Sequence, residues 1–266
     1  MKVFKYWVTE KVRMDVYGEI KEITIYGGSN VSTDDAAQKA RQKADLIKRK
    51  IEGNRDAFEE YEVEIREEIL RTVDDHTVIT RNRYGAQVMN AENLMFLDID
   101  KPKATLAGLF RKSSPGDDKE KIFDMVRKLA SGSKYAGLGF RIYETFQGAR
   151  VIVTGRSFDP RELFAMELMR EFNTDPLYAA LCRKQGCFRA RLTPKPNRIK
   201  MKAYKVKYPR VEADLQFEAW LQSYEQASRN FSVCKFVETA GANHGSFEAV
   251  RLHDDFTGAG LHLPLA

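Results

Sequence analysis

Two aspartates separated by one residue, Asp98 and Asp100, close the apolar run LMFLDID at positions 94–100. Side chains alternate between the faces of a strand, so both carboxylates point one way and Ile99 the other. Two carboxylates held on one face of a rigid strand suit Mg2+ or Mn2+, hard cations that prefer oxygen ligands. Such an ion aligns phosphoryl groups and stabilises charge on attacking and leaving oxygens. The competing reading is a strand that runs out into solvent, since Lys101 and Pro102 follow at once.

A second group carries the opposite charge. Positions 189–210 read RARLTPKPNRIKMKAYKVKYPR, nine Lys or Arg in 22 residues with no acid. Arg189 and Arg191 share a strand face, and Lys195 and Arg198 follow across Pro194 and Pro196, which stiffen the loop. Arginine forks hold phosphate bidentately, and a loop already restricted by proline loses less freedom on binding. With Lys200 and Lys202, these residues read as phosphate or nucleic-acid contacts, and nucleic acid or a nucleoside triphosphate as the partner. The alternative is an RxR pair neutralised by glutamates of the N-terminal helices.

About forty residues after the aspartates comes RIYETFQGARVIVTGR, a strand, a glycine turn and a second strand. FLDID and ETFQGARVIV together resemble the palm of archaeo-eukaryotic-type primase-polymerases, over roughly residues 90–200. That family has an hhhDhD strand and, later, a strand-turn-strand in which a small polar residue and glycine precede a phosphate-contacting histidine. The resemblance implies an RRM-like palm, metal-dependent nucleotidyl transfer, and Asp98 and Asp100 as catalytic metal ligands. It also implies a third carboxylate from a later strand, for which Glu238 in VCKFVE and Asp254 in LHDD are the candidates. Arg150 stands where the family histidine would be, and arginine also holds phosphate. FRIYETFQGARVIVT and LYAALCRKQGCFRARLTPKPNRIK further resemble bacterial proteins described only as hypothetical, which brings no activity with it.

Other chemistry is weaker. Cys182, Cys187 and Cys234 with His244 or His253 would make a zinc site, but structural zinc favours two clear ligand pairs, so buried thiols are expected instead. The four histidines show no spacing that suggests nucleophilic catalysis, and His253-Asp254 reads as a strand end. YGGSN, at 26–30, lacks the Gly-Lys-Ser/Thr of a phosphate loop and reads as a glycine turn before a helix cap.

These groups must be positioned by a folded core. The 266 residues are 43% hydrophobic and 31% charged, with a net charge of +6, which excludes a disordered chain. No apolar run is long enough to span a membrane, the charged N-terminus is unlike a signal peptide, and three cysteines suit a reducing compartment. A cytoplasmic protein is expected.

VFKYWVTE and YGEIKEITIYGG read as strands. Ala40, Ala44, Ile47 and Ile51 then recur at helical spacing, as do Phe58, Tyr61, Ile65 and Ile69. The first helix is basic and the second acidic, so an antiparallel αα-hairpin is predicted, with residues 33–73 offering a surface for a protein partner. HTVITRN, AQVMN, NLMFLDID, FRIYETF, RVIVTG, CFRARLT, VCKFVE and EAVRLH read as strands. Helices are expected near 119–129, from Asp159-Pro160, after Pro176 and around Phe217–Tyr224. The class is α+β, an antiparallel or mixed sheet with helices mainly on one side. The soft boundary lies between residues 1–74 and 75–266.

Overall fold

The computed structural model describes residues 1–16, 18–51, 63–101, 117–205, 208–209, 214–245 and 247–266. The chain forms two compact units, Met1–Ile69 with Lys207–Ala213, and Leu70–Val206 with Asp214–Ala266.

In the first unit, β1 (Tyr6–Val16) and β2 (Glu19–Ser29) pair antiparallel, and α1 (Thr33–Ile51) packs on them. Ser32 caps the helix by accepting the Asp35 N–H through Oγ at 3.1 Å. The face of α1 turned to β2 is built from Ala36, Ala40 and Ala44, all buried. These small side chains admit Gly27 so closely that any Cβ there would collide with the Ala36 carbonyl and the Ala40 backbone. Residues 52–62 of the expected second helix lie outside the described residues, and its C-terminal part is not helical. Ile65 forms a parallel bridge to Val3, and Ile69 lies in a strand. The predicted basic-to-acidic contact is nevertheless present in one instance, Lys43 with Glu64.

After β3 (Glu68–Asp74), which spans the boundary at Leu70, the second unit follows in chain order with β4 (Thr77–Arg81), β5 (Gln87–Ala91), β6 (Met95–Asp100) and α2 (Asp117–Ala130). Next come β7 (Gly139–Thr145), β8 (Gly148–Thr154), α3 (Leu163–Glu171), α4 (Pro176–Gln185) and β9 (Phe188–Arg191). The last elements are α5 (Leu215–Ser228), β10 (Cys234–Gly241) and α6 (Glu248–Thr257). The strands form two four-stranded sheets, ordered β3-β4-β5-β9 and β10-β7-β8-β6. This is the α+β class expected. In the second sheet β6, α2 and β7 make a split βαβ unit, with β8 running antiparallel between them. An RRM-like sheet would carry its fourth strand beside the first; here β10 lies beside β7 and leaves β6 at the edge.

Alternation sorts that sheet into two faces. Leu97, Ile99, Val151, Phe140 and Ile142 are fully buried on the face covered by α2 and α3, where Phe140 stacks on Phe172 at 5.0 Å. Lys119 of α2 reaches Glu144 on the same face at 2.7 Å. The opposite face carries Phe96, Asp98, Arg150 and Tyr143, and meets α6 through His253.

Two local expectations are corrected. EAVRLH is the start of α6 rather than a strand: Ala249, Val250, His253 and Thr257 are buried at helical spacing, and Gly258 ends the helix with φ of 65°. The N-cap of α3 is Glu162, because Asp159 instead closes a turn by accepting the Arg161 N–H at 2.8 Å.

Candidate functional site

The acids are fixed by strand register. Asp98 lies directly opposite Arg150 of β8, and Asp100 opposite Gly148. A Cβ on Gly148 would press into the Ile99 carbonyl oxygen, so glycine is required for β8 to pass the end of β6. The free edge of β6 is closed by α4 rather than left as an open template. The Asp175 N–H donates to the Asp98 carbonyl at 2.9 Å, and the Tyr178 hydroxyl to the Phe96 carbonyl at 3.2 Å. Tyr178 also accepts the Arg189 N–H at 3.2 Å, tying β9 to the same edge.

The basic loop after β9 is anchored by α5. The Gln87 N–H donates to Thr193 Oγ1 at 2.9 Å, Thr193 meets the Tyr224 hydroxyl at 2.7 Å, and that hydroxyl donates to the Pro194 carbonyl at 2.7 Å. Trp220 Nε1 donates to the Lys202 carbonyl at 2.9 Å and stacks on Tyr224. Lys195 and Arg198 therefore project from a held loop.

Asp98, Asp100, Arg150, Arg191, Lys195 and Arg198 line one cavity of about 60 Å³, with Thr145, Gln147 and Val233. Six residues expected from the sequence thus converge. Arg189 does not line it and instead donates to Gln185 at 3.4 Å. Lys200 and Lys202 lie outside it on the exposed loop. Glu238 is on β10, at the far side of the sheet from β6, where it accepts from Arg127 Nε at 2.6 Å. Asp254 is on α6, paired with Arg141 at 2.8 Å. Neither lines the cavity, and no group of three or more His, Cys, Asp or Glu side chains among the described residues is arranged to hold a metal ion. An acid that does act on Asp100 is Asp175, missed because it reads as an N-cap, a role it also fills by accepting the Tyr178 N–H at 2.8 Å. Burial, then Asp98, then Asp175 push the Asp100 carboxyl above its ordinary range.

Positive charge dominates. Four cations face two carboxylates in the lining, an excess of two charges. Burial first, then Arg150, hold the Arg191 guanidinium down to about 10, and burial with Arg191 and Arg198 lowers Lys195. Burial lowers Arg198 as well. Arg191 Nε is sealed from solvent with no hydrogen-bond partner. A buried donor without a partner costs about 1–3 kcal/mol. Arg198 is oriented by the Gln147 amide oxygen at 3.1 Å and by the Phe146 ring at 4.7 Å.

Arg150 is not a free phosphate arm. Only 3% exposed, it stands 3.9 Å from Asp98 and donates to the Arg191 carbonyl at 2.9 Å. The same Nη1 lies 3.3 Å from His253 Nε2 and 3.6 Å from Cys234 Sγ. A guanidinium only donates, so His253 Nε2 must accept. His253 Nδ1 then carries the hydrogen and donates to Asp254 at 3.0 Å. Burial first, with Arg150, pushes this imidazole down to about 4. The chain Arg141–Asp254–His253–Arg150–Asp98 thus runs along the α6-facing side of the sheet to the cavity. Burial raises the thiols of Cys182 to about 11 and of Cys187 to about 12, and all three cysteines are free.

No helix among the described residues is long and apolar enough to cross a membrane. Compared with known proteins, the chain matches no family model, no curated protein and no solved structure.

Proposed function

We propose that this protein binds a phosphorylated ligand, a nucleotide or nucleic acid, with its phosphate at the cavity between β6 and the 193–202 loop. The observation that carries this is the cation cluster: Arg191, Lys195 and Arg198 repel one another around a polar cavity. An anionic phosphoryl group relieves that repulsion. Asp98 and Asp100 are hard oxygen donors at the end of a core strand, and suit a Mg2+ or Mn2+ ion that keeps several of its waters. When bound, the ion polarises a phosphoryl oxygen, which is the nucleotidyl-transfer chemistry that the primase-polymerase resemblance implies. Arg191, Lys195 and Arg198 orient the phosphate, while Arg150 holds Asp98 in place.

Calorimetric titration with a nucleoside triphosphate, with and without Mg2+, tests both parts. The parent is expected to bind in either condition and at least about tenfold more tightly with metal. Asp98→Asn and Asp100→Asn, shown to be folded, are expected to lose the metal effect and any template-directed incorporation. Binding that ignores the metal removes the metal assignment. Absence of binding in both conditions removes the whole proposal. A metal-independent phosphate-binding module is the second reading, favoured by Arg150, which already serves as a counter-charge to Asp98 at 3.9 Å.

A further inference from the structure

We infer that the cavity takes a terminal phosphate, the phosphomonoester end of a nucleotide or nucleic-acid strand, in preference to an internal phosphodiester. That preference rests on the phosphate reading above and narrows it. Size is the first reason. The cavity of about 60 Å³ has room for roughly two to four water molecules. Such a space takes the oxygens of a single phosphoryl group, whereas a ribose or a base is left at its mouth. An internal phosphodiester has carbon on two of its four oxygens, so two riboses must share the same mouth. A phosphomonoester has one substituent and three free oxygens.

Charge is the second reason. The two uncompensated positive charges of the lining match a phosphomonoester, which carries about −1.5 to −2 at neutral pH. A phosphodiester carries a single negative charge and leaves one cation unmatched. The two carboxylates do not reverse this balance: Arg150 stands 3.9 Å from Asp98, and Lys195 and Arg198 act on Asp100.

Donor placement is the third reason. Arg191 lines the cavity and is half-buried, so a phosphate oxygen meets its guanidinium by entering the cavity, and a phosphate lying across the mouth does not. The donors nearer the surface, on Lys195 and Arg198, remain for the other terminal oxygens, and Arg198 is already aimed by Gln147.

The test compares two single-stranded oligonucleotides of one sequence, labelled at the 3′ end, one with a 5′-phosphate and one with a 5′-hydroxyl. Fluorescence anisotropy is read in EDTA, so that no metal contributes. The 5′-phosphate strand is expected to bind at least tenfold more tightly, with inorganic phosphate as a competitor. Arg191→Lys keeps a positive charge but loses the planar guanidinium fork, and is expected to lose most of that preference while its circular dichroism and Tm stay near the parent's. Equal affinity for the two strands overturns the terminal preference and leaves the phosphate reading standing. No binding of either strand, of inorganic phosphate or of a nucleoside triphosphate overturns both. Full preference retained in Arg191→Lys removes Arg191 as the recognising group. Competition by a nucleoside 5′-monophosphate as strong as by the strand supports a free nucleotide as ligand, and much weaker competition supports a strand end.

Discussion

His253 is the residue whose role differs most from its appearance in the sequence. In LHDD it looks like the end of a strand, yet it is fully buried between the Asp254 carboxylate and the Arg150 guanidinium. Its two nitrogens have different tasks, and amide substitutions separate them. Glutamine offers an oxygen near the Nε2 position and continues to accept from Arg150. Asparagine reaches only as far as Nδ1, keeps a donor for Asp254 and leaves Arg150 unanswered. His253→Gln is therefore expected to bind nucleotide within a few-fold of the parent, and His253→Asn about tenfold more weakly. Equal affinities in the two folded variants would show that the contact does not position Arg150. Nitrogen NMR at neutral pH should report a neutral ring protonated on Nδ1. The same burial has a consequence for stability. The folded imidazole titrates at about 4, below the roughly 6.5 of an unfolded histidine. The unfolded chain therefore takes up the proton first as pH falls. Stability is full above about 6.5 and is lost toward 4, at a rate of at most about 1.4 kcal/mol per pH unit. Denaturant unfolding from pH 7 to 4 should show this slope, and His253→Gln should flatten it.

At the scale of elements, the site depends on β8 passing the end of β6 without a side chain between them. Gly148→Ala is expected to force the strands apart, at a cost of about 1–3 kcal/mol, and to shift Asp100 relative to Lys195 and Arg198. Denaturant unfolding should register the loss, and nucleotide affinity should fall with it; an unchanged affinity would mean that the β6–β8 spacing does not set the site. The parts of the site legible in the sequence were those governed by local rules. Strict alternation placed Asp98 and Asp100 on one face, whereas Arg150 was linked to them only by the primase-polymerase resemblance, because the hairpin around Gln147-Gly148 does not say that β6 pairs with β8. Prolines marked 193–198 as a held loop, though not what held it: the anchoring hydroxyls of Thr193 and Tyr224 are 31 residues apart. Two features were hidden because tertiary packing decides them. Val250 and Leu252 alternate with charged residues as a strand would, whereas the buried set Ala249, Val250, His253 and Thr257 follows a helix. Ile65 and Ile69 share a helical period, yet Ile65 bridges to Val3 and Ile69 lies in β3. Asp175 looks like an ordinary cap because it is one; its second effect, on Asp100, exists only because α4 closes the edge of β6.

For the whole molecule, the distribution of charge separates a site from a track. The +6 net charge and the basic stretch at 189–210 first suggest an extended path for a nucleic-acid backbone. The fold divides that stretch. Arg191, Lys195 and Arg198 line the cavity, Arg189 turns toward α4, and Lys200, Lys202 and Lys205 remain exposed on the loop. Cations around a small cavity release few counterions, whereas a long track releases many. For a single strand, log Kobs falls against log salt with a slope of about −0.7 for each phosphate neutralised. A site that engages one terminal phosphate and its immediate neighbours should therefore show a slope near −2. A backbone laid along the whole basic stretch should show one of about −4 or steeper. The convergence of three of these cations on one cavity favours the shallow slope. Reversing Lys200, Lys202 and Lys205 together to glutamate should weaken binding by a few-fold, equally for the 5′-phosphate and 5′-hydroxyl strands, because exposed charges attract polyanions without distinguishing their ends. A steep slope that collapses in this triple variant would instead make the exposed lysines the main binding surface and the cavity a minor part of it.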